Sequence, residues 1–166
     1  MGKRYARLDD TNLRILTRLQ TNGRISNVRL AEEVNLSASA CLDRTKGMED
    51  DGVIRRYVAD YDLQKLCSHV MLFCEVILEN HRESDFDRFL AAVREREEVL
   101  ECFKIGGRID YLMRVVCRDI DHYNELSDFM SRGELGVEKF HGHVVLATDK
   151  AFQGYPLDLL TDGDGR

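Results

Sequence analysis

Residues Ile105 to Tyr111 read I-G-G-R-I-D-Y, a pair of glycines followed by Arg108 and Asp110. Paired glycines tolerate the positive φ that a tight hairpin turn needs. The two opposite charges stand beside backbone bare enough for a ligand to approach, so a plain turn and a sensing loop are both open readings. His141 and His143 have H-x-H spacing. On a strand, residues two apart point to one face, which would suit a metal pair, but no third ligand lies nearby in sequence. A ligand-site role or plain surface histidines are the simpler readings, and no metal is expected. Cys102 or Cys117 with a histidine could make a nucleophilic pair. Nothing in the spacing assembles one, so no enzyme is expected. The five cysteines (Cys41, Cys67, Cys74, Cys102, Cys117) are odd in number, lack a C-x-x-C and mostly sit in apolar runs. They read as reduced thiols, mostly buried.

The elements that carry these residues fall into two rhythms. In the first part, Leu8, Thr11, Ile15, Leu16 and Leu19 repeat at helical spacing, with Asp9 and Asp10 at the amino end. Asn22-Gly23 stops this helix. Ser26 caps a second helix with Leu30, Ala31 and Val34 inward. Asn35 then suits a left-handed turn. Ser37 caps a third helix with Cys41, Leu42, Thr45 and Met48 inward, ended by D-D-G at Asp50 to Gly52. Two helices joined by a short turn after a supporting helix form a helix-turn-helix. The run V-I-R-R-Y-V-A-D (Val53 to Asp60) reads as a strand.

The second part alternates at period two. His69 to Glu79 is a strand with Val70, Leu72, Cys74, Val76 and Leu78 on one apolar face. Ser84 caps a helix with Phe86, Phe89, Leu90 and Val93 inward, and Asp87 completes an S-x-x-D box. Val99–Ile105 and Ile109–Arg118 are strands joined by the glycine turn. A helix from Asp119 with Tyr123, Leu126, Phe129 and Met130 inward follows, then a strand from Gly136 to Ala147. The order β-α-β-β-α-β is the ferredoxin-like split unit. The fold class is therefore α/β (α+β): a winged-helix-like helix-turn-helix domain over residues 1–60, a linker at 61–68, a ferredoxin-like domain over 69–157 and a flexible tail at 158–166.

The net charge of −6 is unevenly spread. Residues 1–62 hold 11 Lys/Arg against 10 Asp/Glu, and residues 63–166 hold 13 against 20. The acid excess lies in the second part, and a near-neutral first module still permits DNA binding through a locally basic face. No apolar run approaches the roughly 18 residues that span a bilayer, and M-G-K-R-Y-A-R-L-D-D is not a secretory signal. A cytoplasmic location without membrane contact is expected.

In a helix-turn-helix, the amino-terminal part of the second helix meets base edges in the major groove. Ser37, Ser39, Ala40, Asp43, Arg44 and Lys46 lie on or near that face, and Arg24 is a weaker candidate. Arg44 has the reach to donate two hydrogen bonds to a guanine edge, while Lys46 and Ser37 suit phosphates. The alternative for Arg44 is a pair with a neighbouring acid such as Asp43 or Glu49. One module makes few base contacts, so a dimer is expected on a pseudo-palindromic double-stranded site, with half-sites about 34–36 Å apart or a multiple of that.

The ordered set L-D-D-T-N-L-R-I-L, N-G-R-I-S-N-V-R-L-A-E-E-V-N-L-S, A-C-L-D-R, D-G-V-I-R-R-Y and I-G-G-R-I-D-Y-L-M-R-V resembles the leucine-responsive/asparagine regulator (Lrp/AsnC) family of transcription factors. The resemblance runs from Leu8 to about Leu157. It implies DNA binding through the helix-turn-helix, and a second domain that dimerises, assembles further (often to octamers) and senses small molecules, usually amino acids. No other cofactor is implied. The resemblance makes Gly106, Gly107, Arg108, Asp110 and Tyr111 the candidate effector site. By their own chemistry Asp110 suits an ammonium and Arg108 a carboxylate, the alternative being that both are solvated turn residues or pair across an oligomer interface. The sequence departs from the family pattern at Ala38 and Ala40, which replace prolines, at Thr45 and Gly47 in the third helix, and at Arg108, where relatives often carry an acid. Two alternatives remain beside the effector-responsive regulator: an effector-independent architectural DNA-binding protein of this fold, and a small ferredoxin-like enzyme.

Overall fold

The computed structural model describes residues 8–161, which divide into two compact units. Residues up to Asp60 together with those from Lys150 onward form the first, and Tyr61–Asp149 form the second.

The first unit is built from α1 (Asp10–Thr21), α2 (Asn27–Val34) and α3 (Ala38–Asp50). Each begins where a short polar side chain satisfies an orphan amide. Asp9 accepts the Asn12 N–H at 2.8 Å, Ser26 that of Arg29 at 3.3 Å and Ser37 that of Ala40 at 3.2 Å. Asn35 ends α2 in the left-handed region (φ 58°). The Asn27 side-chain amide donates to the Ala38 carbonyl at 2.7 Å, tying the start of α2 to the start of α3. Ile15, Leu30, Ala31, Val34, Cys41 and Met48 make the buried core.

Two expectations change here. Val53 to Asp60 pairs with no other strand. A strand exists only with a partner for its amides and carbonyls, and within the described residues this run has none. Ile54 instead donates its N–H to the Met48 carbonyl at 3.0 Å, and Tyr57 donates its hydroxyl to Glu49 at 2.9 Å. Partial desolvation of its hydroxyl, with the Glu49 carboxylate beside it, pushes Tyr57 up to about 12 although its ring is half-exposed.

The second change concerns the carboxy-terminal stretch, which groups with the first unit. The Gln20 side-chain amide donates to the Tyr155 carbonyl at 3.0 Å and accepts the Tyr155 N–H at 2.9 Å. Leu157–Thr161 then forms the short helix α6, inside the stretch read as part domain and part tail. Residues 162–166 of the expected flexible tail lie outside the described residues.

The second unit follows β1 (Val70–Leu78), α4 (Glu83–Arg94), β2 (Val99–Lys104), β3 (Tyr111–Cys117), α5 (Ile120–Met130) and β4 (Val137–Val144). The strands form one antiparallel sheet in the order β2-β3-β1-β4. Leu72, Cys74, Val76 and Leu78 of β1 and Tyr111, Met113, Val115 and Cys117 of β3 are buried with Phe89, Val93, Leu126 and Met130 from the helices. Period two dictates this, since alternate residues share a face.

α4 starts at Glu83 rather than after a Ser84 cap, because the Asp85 carboxylate accepts the Arg82 N–H at 3.3 Å and closes the first turn. Asp85, not Asp87, is therefore the box residue. Asp85 is also buried, and it is paired with Arg88 at 2.8 Å. The Tyr123 hydroxyl packs against Gly142 of β4, where a Cβ would collide with the phenol.

Candidate nucleic-acid interface and effector turn

On α3 the buried side is Cys41 and Met48. Ser39, Asp43, Lys46 and Asp50 recur at i, i+4, i+7 and i+11 on the opposite, exposed side. Ser37 caps the helix, and its hydroxyl lies 3.2 Å from that of Ser39. Ala40 is half-buried. Lys46 and Arg24 are exposed and form no ion pair among the described residues, which leaves both charges available to an anion.

Arg44 is placed differently from its candidate role. Its Nη1 lies 2.6 Å from Asp9 Oδ2 and 2.9 Å from Asn12 Oδ1, so it ties α3 to the first turn of α1. The expected acidic partners Asp43 and Glu49 are not the ones used. The Asn12 backbone N–H, then the Arg44 guanidinium, hold the Asp9 carboxyl below its ordinary range. Sequence gave no sign of this network, because Asp9 and Arg44 stand 35 residues apart.

The glycine turn occupies one end of the sheet, between β2 and β3. Gly107 has φ +137°, and neither it nor Gly106 has atoms within 4 Å of a would-be Cβ. Arg108 is exposed and without an ion-pair partner among the described residues.

Asp110 is the anchor of the turn. Its N–H donates to the Val76 carbonyl at 2.9 Å, its carbonyl accepts from Ile105 at 2.8 Å, and its Oδ2 accepts the Leu78 N–H at 2.8 Å. Its other oxygen lies 2.9 Å from His81 Nε2, a partner no motif had marked. Tyr111 is 1% exposed and sits against the rings of Phe86 and Phe89. It is thus a core residue rather than part of the turn surface, because period two sends it to the helix-covered face.

His141 and His143 do share a face, the one helices leave open. His141 stands opposite Glu75 in the register, and His143 Nε2 lies 3.8 Å from Glu75 Oε1. No group of three or more His, Cys, Asp or Glu suited to a metal occurs among the described residues. No cysteine is disulfide-bonded, and Cys67 is exposed. Burial pushes the Cys74 thiol up to about 12 and Cys102 to about 11, which makes both poor nucleophiles. Among the described residues, no helix is long and apolar enough to cross a membrane.

The capped three-helix unit has the class of a helix-turn-helix module, and the second unit that of a ferredoxin-like β-α-β-β-α-β module with a glycine turn. Residues 8–55 match the winged helix-turn-helix DNA-binding family, and residues 71–154 match the Lrp/AsnC ligand-binding domain. The chain is 35% identical to the transcriptional regulatory protein DoeX of Halomonas elongata over 87% of this chain and 91% of that one. It is 36% identical to the leucine-responsive regulatory protein of Escherichia coli, over 72% and 73% of the two chains. A crystal structure of a Neisseria meningitidis transcriptional regulator in complex with L-methionine superposes with a TM-score of 0.84. That match has 34% identity and covers 92% of this chain and 99% of the other.

The chain belongs to the Lrp/AsnC family of transcriptional regulators. It is a DNA-binding regulator with a ligand-binding domain, and its relatives are regulators rather than enzymes.

Proposed function

We propose that this regulator reads a specific, pseudo-palindromic double-stranded DNA site through α3 and senses a free amino acid at the 105–111 turn. The observation that carries the sensing role is Arg108, a guanidinium beside two open glycines that has no ion-pair partner among the described residues. It suits a carboxylate in a bidentate geometry. Asp110 Oδ1 accepts the ligand ammonium in place of the exposed His81, and its other oxygen keeps the turn in shape. A Neisseria relative crystallised with L-methionine supports an amino acid as the ligand class. The DNA-reading set is Ser37, Ser39, Ala40 and Lys46 of α3 and its cap, with Arg24 on phosphate.

Assembly into homodimers and higher oligomers, up to octamers, is supported by the sheet face that the helices leave open. Phe73 and Phe103 are 39% and 47% exposed there, beside Met71, Ile77, Leu112 and Val116. They stand among Arg114, Glu101, Glu75 and His143, and such a mixed face of exposed large apolar residues and paired charges suits contact with a second copy. The protein works where its DNA is, in the cytoplasm.

Isothermal titration of the full chain against the twenty amino acids tests the sensing role. Heat from at least one, lost in Arg108→Ala, is expected. One observation favours the rival reading of an effector-independent architectural protein: Asp110 is already held by His81 and Leu78. Absence of heat from all twenty would overturn amino-acid sensing in its favour.

A further inference from the structure

The exposed stripe of α3 holds two acids, Asp50 in its last turn and Asp43 in the amino-terminal half, the part that meets base edges in a helix-turn-helix. Asp43 lies on the side opposite Cys41, between Ser39 and Lys46, and makes no hydrogen bond or ion pair among the described residues. Its neighbour Arg44, the longest donor on the helix, is committed to Asp9 and Asn12. With Arg44 turned back toward α1, Ser39, Asp43 and Lys46 are the polar side chains that the amino-terminal two-thirds of the stripe presents.

A carboxylate close to the phosphate backbone is repelled by it. Against base edges its chemistry is selective. It only accepts, so in the major groove its partners are the exocyclic amines, and the pairing that geometry favours is cytosine N4. Guanine O6 and N7 and thymine O4 are acceptors and repel it.

We infer that Asp43 is a specificity-determining residue that selects a C·G pair in each half-site by accepting from the cytosine amine. This rests on α3 docking in the major groove, and it moves the main base contact from Arg44 to the residue before it. The acid lowers affinity for every sequence that lacks the amine at that position, so its contribution is discrimination rather than strength.

The test is selection of bound duplexes from a randomised pool, using the full chain and two substitutions at the exposed, unpartnered position 43. The wild type enriches cytosine at one position per half-site by about tenfold over other bases, the scale of a single base contact. Asp43→Asn moves the preference at that same position to adenine, whose N6 and N7 suit an amide. Asp43→Ala flattens it.

If all three proteins select the same sequence and the variants only bind everything more tightly, Asp43 merely repels phosphate and the inference is overturned. Lys46→Glu separates this from the docking itself. Charge reversal on the stripe weakens binding to every sequence when α3 faces DNA. Unchanged affinity in Lys46→Glu, together with unchanged selection in the Asp43 variants, would remove α3 from the interface altogether.

Discussion

Arg44 shows how a residue's role depends on which group reaches it first. On an isolated recognition helix its guanidinium is the best reader of guanine. In the folded unit it meets the N-cap of α1 and becomes a tie between helices. Both partners are substantially exposed, so solvent screens the pair and its net contribution stays below about 1 kcal/mol.

The Asp9 carboxyl is held below its ordinary value by the Asn12 amide and then by Arg44. A carboxylate with a depressed folded-state pKa stabilises the fold fully above its unfolded value. That contribution is lost as pH falls through the folded value. Asp9→Asn should therefore be less stable than the wild type at pH 7, by about 1 kcal/mol or less, and the gap should close below pH 4. Thermal unfolding of both proteins from pH 7 to pH 2.5 checks this. A gap that persisted at the acid end would mean that the charge contributes nothing.

At the scale of elements, the glycine turn separates backbone constraint from ligand chemistry. Gly107 alone of the pair is in the left-handed half of the map, and open space surrounds both. Gly107→Ala forces a side chain into a disfavoured conformation and should cost about 1–2 kcal/mol. Gly106→Ala adds a methyl to open space and should leave the midpoint of urea unfolding almost unchanged. Equal losses at both positions would refute the assignment of the strain to Gly107.

The turn was legible in the sequence because glycine pairs and period-two strands are local signals. Ser26, Ser37 and Asn35 were legible for the same reason, since a cap or a left-handed turn involves residues within four of each other. The Ser84 cap was misplaced because Asp85, one residue on, closes the turn better from inside the helix. The strand expected at Val53–Asp60 had the right alternation. Alternation specifies which side chains share a face, not whether a partner strand exists.

For the molecule as a whole, the informative feature is the sheet face opposite the helices. It carries Met71, Phe73, Leu112 and Val116 interspersed with Glu75, Arg114, His141 and His143. If copies of the chain meet there, placing a charge at its centre should separate them. Phe73→Glu is expected to lower the sedimentation coefficient to that of a monomer while the circular dichroism stays that of the wild type. An unchanged assembly would put the interface elsewhere. The same separation should weaken operator binding, since a lone module makes few base contacts.

The sequence alone determined the division into a helical module and a period-two module, the order of the three amino-terminal helices and of the β-α-β-β-α-β unit, most of the helix boundaries and the family. These follow from periodicity and from short-range capping, both written in neighbouring residues. Only the tertiary structure decided which charged groups are free. Arg44 and Asp110 are committed to partners 35 and up to 32 residues away, Tyr111 is withdrawn into the core, and the stretch around Tyr155 is bound back onto α1 through Gln20. Spacing cannot disclose such contacts, because the fold brings those residues together. The same folding that occupies Arg44 leaves Asp43 exposed and without a partner among the described residues.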